Sequence, residues 1–523
     1  MIKMKTNKIK KNILLAVTAL TLVLSPMGVL GATSEVIDRS TLPRTVITTD
    51  GEVDDMNSVL RALLYANEMD IAGIVITSST YHYAGNGDDI LPYRWTGTDW
   101  IWDYLDDYES VYPNLVKHDP NYLTAEELRG KTFIGNITNV GEMEEITEGS
   151  EFLKELFLDN DPRTLYVQTW GGTNTTARAL KSIEEEYADT DQWEEIQQKI
   201  YDKLVVYIIL DQDDSYANYI AVNWPGLKVI NDRGNFWLFA YAWGMFPEYN
   251  WDTLKADWYL ANLADKGALL DNYYTMGDGK IVPGEWYEEL RGIDHYLETH
   301  PNYNRYDFIS EGDSPSFLYL VDNGLRNAED PSYGGWGGRF GDGDHENLWV
   351  NNALDYNPAG KNFSTGYSLT RWFSDIQEDF ASRADWCVAE NYEDANHAPT
   401  VTVAEGLDIT AAKGEEITLT AKGSDPDGDS VSYLWWRYFE ADTYEEDPRD
   451  KGEITAGFVG SSRETLDDEI LEPIVLNGSE TAQVSFTVPE DAKSGDTLHL
   501  IVEARDDGAH NLVHYARVIV TVE

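Results

Sequence analysis

The stretch Thr48-Thr49-Asp50-Gly51-Glu52-Val53-Asp54-Asp55 carries four acidic side chains in six positions, and this constrains the fold more than any other feature. It follows Thr45-Val-Ile-Thr48, a β-branched run short enough for a buried strand. It precedes Met56, Val59, Leu60, Leu63 and Leu64, whose spacing lays one apolar stripe along a helix. Asp50 is therefore expected at the carboxyl end of a strand, with Asp54 and Asp55 in the first helical turn. In an open α/β sheet, that crevice is where ligands bind. Two bare carboxylates about 4 Å apart repel by roughly 1–4 kcal/mol, a penalty that a hard cation such as Ca²⁺ removes. The alternative is local: Asp54 and Asp55 complement the helix dipole, each worth about 0.3–1 kcal/mol, and Asp50 is a turn residue.

The strand–helix rhythm continues. Ile71–Thr77, Leu165–Thr169, Leu204–Leu210 and Leu227–Ile230 read as buried strands, with Lys131–Gly135 a weaker one. A helix is expected from the Gly171-Gly-Thr-Asn174 turn to Tyr187. Alternating strands and helices imply a mostly parallel sheet covered on both faces. Residues 84–125 read as an aromatic loop, and 334–343 as Gly-rich. Residues 388–398 lack apolar periodicity. Beyond Pro399 short alternating strands give an all-β sandwich pattern.

The amino-terminal residues place five lysines before an apolar run from Ile13 to Leu24, which reads as a secretory signal peptide and a secreted, extracellular protein. The expected organisation is a signal peptide over 1–32, a first domain over 40–390, a linker over 391–398 and an immunoglobulin-like β-sandwich over 399–523. No membrane span is expected after signal cleavage. Loss of the five lysines takes the formal charge from −54 to about −59. Such a surface disfavours nucleic-acid polymers, whose binding rests on Lys and Arg. The single Cys387 excludes an intrachain disulfide. Oligomeric state is not legible.

The string Asp50-Gly-Glu-Val-Asp54-Asp55 after a β-branched strand resembles the amino-terminal motif of nucleoside hydrolases. More closely, TTDGEVDDMNS, TSSTYHY, EGDSPSFLYLVDNGL and DPSYGGWGGRF resemble a secreted bacterial family that joins a nucleoside-hydrolase-like domain to an immunoglobulin-like one. Some of its members carry a cellulose-binding-protein label. The resemblance implies an open, mostly parallel sheet with helices on both faces. It implies Ca²⁺ held by Asp50, Asp55, the Thr173 carbonyl and Asp313, with Asp50 also the general base and Asp54 holding sugar hydroxyls. Thr48 stands where nucleoside hydrolases usually have a further Asp. Gly312 stands where purine-acting members often place a His that protonates the leaving base. His82 and His345 are the available substitutes for that acid.

Further substrate contacts are assigned to His82, to Asn174 in the GGTN turn, and to Gln212 and Asp213 at the end of the fourth clear strand. Trp336 and Arg339 in the Gly-rich segment complete the set, since aromatic and Arg side chains on a permissive backbone can approach a sugar. Without the resemblance, GGTN is a polar-capped turn, Asp313 is equally an N-cap, and Asp425-Pro-Asp-Gly-Asp429 is a plain turn or a structural Ca²⁺ loop. The function expected is an exported Ca²⁺-dependent glycosidase acting on a furanose-type glycoside or a glycan. The alternative is a non-catalytic carbohydrate-binding protein that uses the same cleft.

Overall fold

A computed structural model describes residues 39–523 apart from 241–242, 281, 283–293, 445–453, 458–459 and 465–473. The signal-peptide expectation over 1–32 lies outside the described residues. The first part of the chain is built on eight strands: β1 (Arg44–Thr49), β2 (Asp70–Ile76), β3 (Thr132–Ile134), β4 (Leu165–Thr169), β5 (Leu204–Ile209), β6 (Lys228–Asp232), β7 (Gly341–Asp342) and β8 (Leu348–Val350). They form one sheet in the order β3-β2-β1-β4-β5-β6-β8-β7, parallel except at the β7–β8 edge.

Every residue of β1 is buried, as expected of a central parallel strand coated on both faces. Its side chains alternate between layers. Ile47 packs with Val59, Leu60 and Leu63 of helix α1 (Val53–Leu64). Val46 packs instead with Ala177 and Leu180 of helix α2 (Asn174–Tyr187). Strand order reverses between β1 and β4, so the crevice of an open α/β sheet opens at their carboxyl ends.

The expected loop over 84–125 is corrected by the structure: Trp100–His118 is a 19-residue helix. Trp100, Tyr104, Tyr108, Val111 and Leu115 are buried along it at i+3 and i+4 intervals, so apolar burial outweighs the interior Pro113. The aromatic density conceals that period.

The carboxyl-terminal part is a sandwich of a three-stranded and a four-stranded sheet, seven strands as in an immunoglobulin-type module. The larger sheet ends in an edge strand, Ser432–Arg437. Its core is a separate cluster that includes Leu419, Trp435, Phe486, Leu500 and Val518.

The sandwich packs directly on the α/β part. Buried Arg517 donates to the carbonyls of Leu325 and Gly334, at 2.6 and 2.7 Å. Tyr515 donates to Asp375, on the helix Phe373–Trp386, here α3. Strand Asn362–Ser364 pairs antiparallel with Gly460–Glu464 across the junction. Within the aperiodic 388–398 stretch, His397 stacks on Tyr392 with ring centroids 3.8 Å apart. Cys387 is buried, as a structural thiol would be.

Candidate functional site

The residue after β1 is Asp50, and α1 starts three residues later, so the β1–α1 turn delivers Asp50, Asp54 and Asp55 to one point. One carboxylate oxygen from each of Asp50, Glu52 and Asp55 lies within 4.8 Å of the others, and the same holds for Asp54, Asp55 and Asp313. Asp313 comes from 258 residues further on, and Arg61 and Asn57 of α1 carry it there. Arg61 pairs with Glu311 at 2.9 Å, and Asn57 donates to the carbonyls of Ser310 and Tyr274 at 2.8 and 3.1 Å.

Asp313 occupies the N-cap position of the short helix Ser314–Leu318 but makes no capping bond. Both of its carboxylate oxygens, and both of those of Asp50, are buried and accept no hydrogen bond. The capping alternative is therefore not what the Asp313 side chain does. Asp55 is held from below: Thr49 Oγ1 donates to its Oδ1 at 2.5 Å, and the Asp50 amide donates to the same oxygen at 3.1 Å.

Like charges about 5 Å apart repel by roughly 3 kcal/mol at an effective dielectric near 20. Burial accordingly pushes the Asp50 carboxyl up to about 6. Burial, with repulsion from the neighbouring acids, pushes Asp55 and Asp313 well above the usual carboxylate range. Buried oxygen donors without hydrogen bonds are the donor set that a hard cation requires.

The other expected site residues divide. Gln212 donates to the carbonyls of Trp170 and of Ile209, while its Oε1 is buried and accepts no hydrogen bond. His82 Nε2 lies 3.4 Å from Glu52, and Arg94 reaches the same Glu52 oxygen at 3.1 Å. Burial and the Arg94 charge hold His82 well below its ordinary pKa, which disfavours it as the acid that protonates a leaving group. His345 is exposed and paired with Asp344 at 2.7 Å.

Five of the expected residues take other partners in the structure. Asp213 accepts from the amides of Thr173, Asn174 and Ser215 at 3.0–3.2 Å, so it fixes the turn into α2 rather than offering free oxygens. Asn174 donates to Ser78 Oγ and to the Asn136 and Glu142 carbonyls, and accepts from Thr77, which fills its amide. The Thr173 carbonyl accepts the Ala177 amide at 2.8 Å. That bond opens α2 and uses one of the two lone pairs of the oxygen. Arg339 donates to Asp355 at 2.7 Å and to the Leu354 carbonyl at 3.0 Å, facing the sandwich junction and not the acids. Trp336 is a core ring, 2% exposed. The Gly-rich segment was expected to bring Trp336 and Arg339 to a sugar; tertiary packing buries both.

Gly312 has a reason of its own. A Cβ there would lie 2.3 Å from the Phe236 ring and 2.8 Å from Asp54 Oδ2, so no side chain fits beside Asp313. Gly171, in the turn after β4, likewise brings backbone against Asp50: its Cβ would lie 2.8 Å from the Asp50 Cβ.

Sequence reasoning missed Thr49, Arg94 and Trp100. The Trp100 indole Nε1 is buried without an acceptor, above Gly51. Recognising the helical period from Trp100 to Leu115 was the signal that could have found it.

Comparison with known proteins agrees with this architecture. A solved structure described as a nucleoside hydrolase-related hypothetical protein from Saccharophagus degradans, associated with carbohydrate metabolism, superposes with a TM-score of 0.66 at 26% identity. It covers 92% of this chain and 100% of its own. A plant nucleoside hydrolase matches with a TM-score of 0.28 at 11% identity, over 59% of this chain and 86% of its own. A search of curated proteins gives no match. Residues 416–522 match the family described as cellulose-binding protein Sde0182, C-terminal domain. Residues 44–340, more than half of the chain, match the family described as cellulose-binding Sde182, nucleoside hydrolase-like domain, and the chain belongs to that family.

Proposed function

We propose that this protein is an exported glycosidase that hydrolyses an N- or O-glycosidic bond of a furanose-type sugar with the help of Ca²⁺. The observation that carries this reading is the set of four buried oxygens of Asp50 and Asp313, which accept no hydrogen bond beside Asp54 and Asp55. Asp50, Asp54, Asp55 and Asp313 would hold the cation, which when bound supplies neutralising charge and acidifies water within its reach.

The chain's own residues then have distinct tasks. Asp50, buried at the carboxyl ends of β1 and β4, would take the proton of the attacking water as the glycosidic bond breaks, while the leaving group departs with the bonding pair and takes its proton from solvent. Asp54 fixes a ring hydroxyl, and Gln212 Oε1 offers a second acceptor for one. Thr49 steadies Asp55. His82, held well below its ordinary pKa, orients rather than protonates.

A role in carbohydrate chemistry is further supported by the family descriptions and by the carbohydrate-metabolism association of the Saccharophagus protein. The second reading, a cleft that binds glycan without cleaving it, is favoured by the steric exclusion of any side chain at Gly312.

Hydrolysis of nucleosides and aryl furanosides, measured with and without Ca²⁺, tests the proposal. Asp50→Asn keeps the shape but cannot act as a base, so kcat should fall by about 10²–10⁴-fold. Ligand affinity should fall far less, provided the variant keeps its metal. If wild type turns over none of these substrates, yet a glycan binds equally to wild type and Asp50→Asn, the binding reading replaces the enzyme.

A further inference from the structure

A groove of about 450 Å³ runs along the junction of the α/β part with the sandwich, apart from the acidic cluster. That volume lies within the range of about 300–1,000 Å³ common to ligand sites. Tyr356 and Arg371 line it from the first part of the chain, and Trp436, Phe439, Glu440 and Glu503 from the sandwich. It exists only because the sandwich is attached.

Its chemistry is specific. Trp436 is partly exposed on the edge strand, with its indole N–H given to Glu503 at 2.9 Å and the Arg371 guanidinium 4.8 Å from its ring centroid. Phe439 is likewise partly exposed. Arg371 is anchored by Asp355 at 3.0 Å and lies 3.6 Å from Glu440. Glu440 accepts the Tyr356 amide at 2.9 Å through Oε1. Its side chain is 1% exposed, and Oε2 accepts no hydrogen bond. A buried carboxylate oxygen without a donor is costly, and the Arg371 charge beside the same carboxylate offsets part of that cost.

We propose that this groove is a glycan-binding site for a neutral, β-linked oligosaccharide, separate from the Asp50 cluster. Aromatic rings offer flat apolar faces to the C–H side of a pyranose. Glu440 and Glu503 are acceptors only, and sugar hydroxyls are donors that suit them. Acidic glycans and nucleotides are disfavoured, because Asp375, Glu440 and Glu503 outnumber Arg371 and Arg437 along the groove and the chain carries a formal charge of −54. The choice of a β-linked chain rests on the cellulose-binding descriptions of the two matched families; the site itself rests on the groove.

Hydrogen exchange of the full chain, with and without cellopentaose, tests this, with maltopentaose and xylopentaose as comparison sugars. Cellopentaose is expected to protect amides across 432–440, and Trp436→Ala to weaken its binding at least tenfold in calorimetric titration. Should Trp436→Ala fail to fold, the exchange pattern of wild type decides alone. Protection confined to 48–55, or no binding of cellopentaose at millimolar concentration, overturns the proposal. Furanoside hydrolysis bears on the Asp50 cluster alone, so the two readings fail separately.

Discussion

Arg61 and Glu311 form an ion pair at 2.9 Å with both side chains wholly removed from solvent. The pair joins the last turn of α1, whose first turn presents Asp54 and Asp55, to the turn that presents Asp313. Glu311 also accepts from Tyr273 and from Ser314, the residue after Asp313. Arg61 donates besides to Gln377 and the Ile376 carbonyl of α3. The acidic cluster is assembled by this neighbouring buried network and not by its own members, which repel one another.

Removing one partner of that pair leaves an uncompensated buried charge. Arg61→Met should cost about 3–5 kcal/mol in denaturant unfolding. Restoring neutrality with Arg61→Met/Glu311→Gln should recover part of the loss. A single variant as stable as wild type would show that the pair does not hold the turn in place.

The metal assignment has a direct measurement. Purified protein should contain about one tightly held Ca²⁺, as expected for oxygen donors converging on one point. Elemental analysis of Asp50→Ala/Asp55→Ala should find that ion gone; unchanged metal content contradicts the assignment.

Gly312 offers a steric test. Gly312→Ala sets a methyl group 2.3 Å from the Phe236 ring. Overpacking of this kind costs about 1–3 kcal/mol, seen as a lower unfolding midpoint. Phe236→Leu in the same chain should relieve it. Gly312→His should not create a working leaving-group acid, because the site has no volume for the ring.

The junction with the sandwich predicts both cooperativity and a pH dependence. His510 of the sandwich sits 3.0 Å from Glu378 and 3.0 Å from Asp385 of α3. Burial alone would lower its pKa, but Asp385 and Glu378 outweigh that and raise it from 6.5 to about 9. The folded state thus binds this proton more tightly than the unfolded state. The stabilisation is fully present below about pH 6.5 and is lost as pH rises through about 9. The full chain should melt in one transition whose Tm falls between pH 7 and 9, and His510→Gln should flatten that fall. Two separate transitions would show that the sandwich and the α/β part unfold independently.

Several elements were legible because their information is local. The β-branched run Thr45–Thr48, the stripe from Met56 to Leu64 and the Gly-Gly turn before Asn174 each state their own conformation through side-chain period and backbone freedom. Together they set Asp50, Asp54 and Asp55 at the carboxyl end of a buried strand without reference to the rest of the chain. The sandwich strands were read in the same way, from alternation.

What local pattern could not reveal is which long-range partner each polar side chain takes. Asp213 and Asn174 sit at the expected edge, yet their hydrogen bonds close the turn into α2. Arg339 turns to Asp355, a buried carboxylate that Arg371 and Tyr438 also reach. Asp313 reaches Asp54 only through Arg61 and Asn57, across more than 250 residues of sequence. The groove at Trp436 has no signature in either half of the sequence, because its walls come from both. A sequence specifies where a strand ends and which face of a helix is apolar. The direction of a buried charge is settled by the nearest group able to compensate it, and only packing brings that group near.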